Sequence, residues 1–154
     1  MLTAKDIMTR KVITVSPETE VLQAAHLLLE HHINGLPVVD EEGRLKGIIC
    51  QSDLVTQQEK FPLPSFFITL DSFVPLKSQK NIDKEIQKIA AVKVSEAMTP
   101  NTVTVGPDTT LEDIATLMVR NNFHTLPVLD HGKLIGIIGN EDILRTLIPG
   151  EKFD

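Results

Sequence analysis

The chain has 154 residues, 42% of them hydrophobic and 23% charged, the balance of a globular protein rather than of a disordered tail. Its formal charge of -6 offers nucleic acid no electrostatic footprint, and with no Trp, no Tyr and 4% aromatic residues, base-stacking platforms are scarce as well. The single cysteine, Cys50, excludes an intramolecular disulfide and a cysteine-built zinc site.

The opening Met1-Leu2-Thr3-Ala4-Lys5-Asp6 lacks the basic start and apolar run of a signal peptide, so a cytoplasmic protein is expected. Residues 12–15 form a short β-branched run that ends at a turn carrying Pro17, a strand signal. Over 21–30 the apolar residues recur at helical spacing. Residues 36–39, then Asp40-Glu41-Glu42-Gly43, then 45–50 read as strand, turn and strand, a hairpin. A second helix is expected from about Ser52. Residues 57–92 are longer than a compact connection needs; an ordered spacer packed on the two units is the expected reading, and a lid or partner-docking segment the alternative. Within them, 61–76 is apolar but broken by three prolines and Asp71, too interrupted to cross a bilayer. Residues 83–91 read as a short amphipathic helix, with Ile82, Ile86 and Ile89 on one side and Lys84, Glu85 and Lys88 off it.

From position 93 the pattern starts again. Met8-Thr9 returns as Met98-Thr99, and Thr14-Val15-Ser16-Pro17-Glu18-Thr19 as Thr104-Val105-Gly106-Pro107-Asp108-Thr109. Leu36-Pro37-Val38-Val39-Asp40 returns as Leu126-Pro127-Val128-Leu129-Asp130, and Gly47-Ile48-Ile49 with Asp53 as Gly136-Ile137-Ile138 with Asp142. About eighteen identities over about fifty positions, with a single one-residue gap after Asp40, mark a duplicated unit. The second copy predicts a strand over 103–105, a helix over 111–120, a hairpin from Leu126 and a closing helix from about Glu141. Thr110 and Asp113 stand in capping-box spacing at the start of that first helix. Each copy is therefore β-α-β-β-α, an α/β (α+β) unit too small to bury a core comfortably alone, and 3–56 and 93–148 are expected to pack as one pseudo-twofold body joined by 57–92.

Asp6-Ile7-Met8-Thr9, the Leu-Pro-Val strand and the Gly-Ile-Ile step followed by Asp, present in register in both copies, resemble the cystathionine-β-synthase (CBS) domain family, whose members come as tandem pairs. The resemblance covers 3–56 and 93–148. It implies two interleaved units with two clefts between them, which bind AMP, ADP, ATP or S-adenosylmethionine and regulate an attached or partner protein. It further implies that Asp53 and Asp142 accept hydrogen bonds from ribose hydroxyls, at helix starts whose N–H groups face an anion. The base would lie against Ile33-Asn34-Gly35 or Phe123-His124-Thr125, together with Ile13 and Val103. His124 and Lys11 are positioned to meet a phosphate. The sequence departs from the family three residues before each Asp, where a Thr or Ser usually stands and this chain has Cys50 and Gly139; Ser52 is placed to replace one hydroxyl. No cofactor is required, and the Asp142 cleft is favoured over the Asp53 cleft.

An enzyme is not expected. Cys50 ends an apolar strand with no evident base beside it and reads as a small buried residue. His26 and Glu30 stand one helical turn apart, followed by His31 and His32, without a recognised metal-site pattern, and read as polar residues at a solvated helix end. The competing reading is a module that binds no ligand and serves dimerisation or protein interaction. A homodimer is expected in either case, because the 21–30 and 111–120 helices are apolar over most of their circumference and need a second covering surface; the alternative is that the 61–76 segment folds back over them. No membrane partner is expected, and nothing in the chain names the regulated protein.

Overall fold

The computed structural model of the chain describes residues 1–60 and 92–150. The apolar stretch and amphipathic helix read in the connecting segment lie outside the described residues. The elements are α1 (Ala4–Ile7), α2 (Val21–His31), β1 (Gly35–Val39), β2 (Leu45–Cys50) and α3 (Gln51–Lys60), then α4 (Val94–Ala97), β3 (Thr99–Pro100), α5 (Leu111–Asn121), β4 (Thr125–Asp130), β5 (Lys133–Gly139) and α6 (Asn140–Arg145). The two hairpins, β1–β2 and β4–β5, are antiparallel, and each carries a register shift, at Val38/Val39 and at Val128/Leu129. Helix α3 runs past position 56, where the first unit was expected to end.

The helices form where the apolar spacing predicts them. Thr110 accepts a hydrogen bond from the Asp113 backbone N–H at 3.2 Å, one half of the expected capping box. Both long helices end on a left-handed residue, His32 (φ 52°) and Asn122 (φ 54°), whose N–H groups close the last turn. In the first hairpin turn Asp40 accepts from the backbone N–H groups of Arg44 (2.9 Å) and Glu42 (3.0 Å), and Gly43 supplies the left-handed residue at φ 79°. The Arg44 N–H, helped by its guanidinium, holds the Asp40 carboxyl below the usual carboxylate range.

Two differences from the sequence reading are instructive. The strands expected over 12–15 and 103–105 shrink to single parallel bridges, Val15 with Val38 and Val105 with Val128. Val15 donates to the Pro37 carbonyl and accepts from Val39. The next donors in either direction of a parallel ladder would be the nitrogens of Pro37 and Pro17, which carry no hydrogen, so pairing stops after one residue. Pro127 and Pro107 truncate the second copy in the same way. Residues 10–14 and 101–104 are thereby left outside the sheets.

The second difference is that a repeat in sequence is not a packing unit in space. Helix α1, which the sequence reading did not contain, leaves its own copy: the Ala4 and Lys5 N–H groups donate to the Thr109 and Pro107 carbonyls. Its residues Ala4 and Ile7, with Met8 just after it, complete one core with Val105, Ile114, Met118, Leu126, Val128 and Ile138. Reciprocally, Val94 and Ser95 donate to Thr19 and Pro17, and Val94 enters the other core with Ala24, Leu28, Leu36, Val38 and Ile49. The Met-Thr step that follows each short helix crosses the second hairpin strand, where Thr99 pairs with Ile48 and Thr9 with Ile137. Glycine is required at that crossing. A Cβ on Gly47 would stand 2.5 Å from the Thr99 carbonyl oxygen, and one on Gly136 would run into the Met8 side chain.

The helices keep apolar residues in the open, among them Leu29, Val55, Val119 (81% exposed) and Leu144, and Leu147 in the turn after α6 is 74% exposed. Among the described residues no helix is long and apolar enough to cross a membrane.

Candidate ligand cleft between the two repeats

The chain released from the sheet by the prolines lines a cleft between the copies. Thr9, Lys11 and Ile13 come from the segment after α1, His32 to Gly35 from the end of α2 and the start of β1, Thr125 from β4, Ile137 and Gly139 from β5, and Asn140, Glu141, Asp142 and Arg145 from α6. Seven residues expected in the site meet here: Lys11, Ile13, Ile33, Asn34, Gly35, Thr125 and Asp142.

Asp142 anchors the floor and is only 5% exposed. Its Oδ2 accepts from the Gly139 N–H at 2.8 Å, and its Oδ1 from the Thr9 hydroxyl at 3.0 Å and from the Arg145 guanidinium at 2.9 Å. The carboxylate is thus fixed by three segments, one of them from the other copy. Of the backbone N–H groups at this helix start, where an anion was expected, that of Gly139 is turned to this carboxylate. Arg145 also reaches Glu141, with Nη2 at 3.6 Å from Oε2.

The other expected site residues stand at the pseudo-equivalent place. Asp53 accepts from the Cys50 N–H at 2.8 Å and from the Thr99 hydroxyl at 3.1 Å, repeating the Asp142 geometry without an arginine. Ser52 is exposed within α3, one position inside the helix start. Val103 is 40% exposed, and Phe123 packs against the core that holds Met8. His124 is exposed, with its Nδ1 3.1 Å from the Asn140 amide, and is not among the residues lining the Asp142 cleft.

Thr9, Thr99 and Arg145 were not singled out as site residues. The signal for the first two was in the duplicated Met-Thr step, but their partners lie across the molecule, 133 and 46 positions away. Arg145 was within reach as the residue three after Asp142 on one helix face.

The groups a catalyst would need are placed otherwise. Cys50 is partly buried, and burial, followed by the nearby Asp53 charge, pushes its thiol up to about 11, so it stays protonated at neutral pH. His26 and Glu30 face each other at 3.9 Å on an exposed helix surface, and among the described residues no group of three His, Cys, Asp or Glu is arranged to hold a metal ion. What the cleft offers is binding: apolar side chains of Ile13, Ile33 and Ile137, a fixed carboxylate acceptor, and cationic donors on Lys11 and Arg145.

Comparison with known proteins gives the same outline. The model of the CBS domain matches residues 4–60 and 94–149. The protein MJ1426 of Methanocaldococcus jannaschii is 36% identical over 156 residues, covering 94% of this chain and 90% of that protein. The chloroplast CBS domain-containing protein CBSX2 of Arabidopsis thaliana is 34% identical, and the match spans 95% of this chain and 63% of that protein. The crystal structure of CBSX2 in complex with AMP superposes with a TM-score of 0.70 at 31% identity, covering 96% of both chains. The CBS domain pair of MJ0100, in complex with 5′-methylthioadenosine and S-adenosyl-L-methionine, gives 0.69 at 28% identity and the same coverage of both chains.

Proposed function

The chain belongs to the CBS-domain family, and from that premise we propose that it is a regulatory module that binds an adenosine-containing ligand between its two repeats and signals occupancy to a partner protein. The observation that carries the reading is the buried Asp142 carboxylate, oriented by Gly139 and Thr9 and facing the Ile33-Asn34-Gly35 edge of the opposite copy. A ribose needs such an acceptor, and the isoleucines supply an apolar slot for the base. AMP, ADP, ATP and S-adenosylmethionine share that adenosine part. The module performs no chemistry in this reading, since the cleft holds a binding acceptor and no activated nucleophile.

Isothermal titration of the purified protein with adenosine, AMP, ADP, ATP and S-adenosylmethionine tests this directly. At least one is expected to bind with a Kd on the order of micromolar. Heats indistinguishable from dilution for all five, at protein concentrations of about a hundred micromolar, end the ligand-sensor reading.

Two observations favour the second reading, a module that works by association alone. Cys50 and Gly139 supply no hydroxyl three residues before Asp53 and Asp142, and Leu29, Val119 and Leu144 on the helices, with Leu147 just after α6, are exposed. These exposed apolar residues support a homodimer in both readings, since a second copy would cover them and a twofold contact is the simplest closed arrangement. Light scattering behind a sizing column is expected to give the mass of two chains at tens of micromolar, and Leu147→Asp to shift it toward one. A single-chain mass for the parent protein removes the dimer.

A further inference from the structure

The duplication makes the Asp142 cleft comparable position by position with the pseudo-equivalent residues around Asp53, and the comparison shows a charge difference that the fold does not require. Lys11, His32 and Arg145 come from three separate segments and line the Asp142 cleft together. Their counterparts in the other copy, in the alignment that pairs Asp142 with Asp53, are Asn101, Asn122 and Thr56. All three cationic or protonatable positions are neutral there. Glu141 has Ser52 as its counterpart, so Lys11 and Arg145 balance Glu141 and Asp142 in one cleft, while the Asp53 carboxylate has no lysine or arginine at the matching positions of the other.

The backbone frames do not differ in the same way. Asp53 and Asp142 accept the same pair of bonds, from the N–H three residues earlier and from the threonine of the opposite Met-Thr step. Arg145 is the addition: it compensates Asp142 at 2.9 Å and leaves further guanidinium donors in the cleft wall. Lys11 is exposed at the rim and in no ion pair among the described residues, so its charge is available to an incoming ligand.

We propose that the two clefts are sorted by charge, and that the Asp142 cleft is the one that takes the phosphate-bearing adenosine ligand, a nucleotide rather than a sulfonium, with Lys11 as the residue that selects for the phosphate. This rests on the reading of the cleft as an adenosine site and adds to it the class of the 5′ substituent. An ammonium that meets phosphate makes a charge-assisted bond, whereas the same group repels the sulfonium of S-adenosylmethionine. In the Asp53 cleft the carboxylate without a neighbouring arginine works in the opposite sense.

The test is a calorimetric titration of adenosine and AMP into the parent protein, Lys11→Ala and Lys133→Ala, each at low and at moderate salt. Lys133 is an exposed lysine at the tip of the second hairpin and controls for net charge alone. AMP is expected to bind the parent about tenfold or more tightly than adenosine, and that margin should shrink with salt. Lys11→Ala should remove most of the margin and leave the adenosine affinity within about twofold, while Lys133→Ala keeps it. Equal affinities for AMP and adenosine in the parent, or equal losses in the two lysine variants, overturn the charge sorting while leaving the adenosine site in place. Failure of the parent to bind either compound overturns both. Lys11 is exposed, so the variant carries little risk of misfolding.

Discussion

Met8→Ala is expected to lower the unfolding free energy by about 2–5 kcal/mol, the range for truncating a fully buried side chain. Met8 has no exposed surface and sits in the core formed by the second copy, against Ile114, Leu126 and Ile138. Its side chain also fills the space above Gly136, so truncation leaves a void that the hairpin cannot close without moving the Thr9 bridge. Because the residue belongs by sequence to the first copy and by packing to the second, the loss cannot stay local. A single cooperative transition with a lower midpoint is expected in urea melts of the variant, as in the parent. Met98→Ala, at the matching position, should cost less, since Met98 is only partly buried. A loss below about 1 kcal/mol, or two separate transitions in either protein, would mean that the copies fold independently and that the exchange of α1 does not bind them together.

How much of this was legible in the sequence follows from the range of each interaction. The repeat, the two long helices and the two hairpins rest on local spacing and turn residues, and they stand where the periodicity puts them. Both long helices even bury matching positions, Ala24 and Leu28 in α2 and Ile114 and Met118 in α5. The single-residue bridges at Val15 and Val105 were in principle readable too, because the prolines at 17, 37, 107 and 127 are visible in the chain; what was missing was the pairing partner that makes each proline a chain terminator of the ladder. The short N-terminal helices and their exchange were not read from the sequence; the family resemblance implied only that the two units interleave. Nothing in Ala4-Lys5-Asp6-Ile7 states which hairpin it will cover. The same limit applies to the cleft. Asp142 was found because it is duplicated in register with Asp53, but the Thr9 hydroxyl that orients it is set by the crossing of two distant segments. The linker reading for 61–91 concerns residues outside those described.

The second large effect is expected at the carboxylates. Asp142→Asn should weaken binding of the adenosine ligand by about 10- to 100-fold, the cost of replacing a charged acceptor by a neutral one at a hydrogen-bonded site, about 1.5–3 kcal/mol. Asp53→Asn should cost the tighter site much less. Asp142 is nearly inaccessible to water and held at both oxygens, so little ordering of its side chain remains to be done on binding. Asp53 has the same backbone and threonine donors but is more exposed and lacks the arginine, so its bonds compete with water more directly. The asparagine keeps the size of the side chain and one acceptor oxygen, for Gly139 or for Thr9, but like alanine it removes the carboxylate from Arg145 and sets its NH2 against one of these donors, so stability has to be read beside binding. A thermal melt of Asp142→Asn therefore accompanies the titration. A folded variant with affinity reduced tenfold or more assigns the ribose contact to Asp142. If both folded asparagine variants bind adenosine as the parent does, the carboxylates only close the strand-to-helix turns through Gly139 and Cys50, and the ribose is held elsewhere.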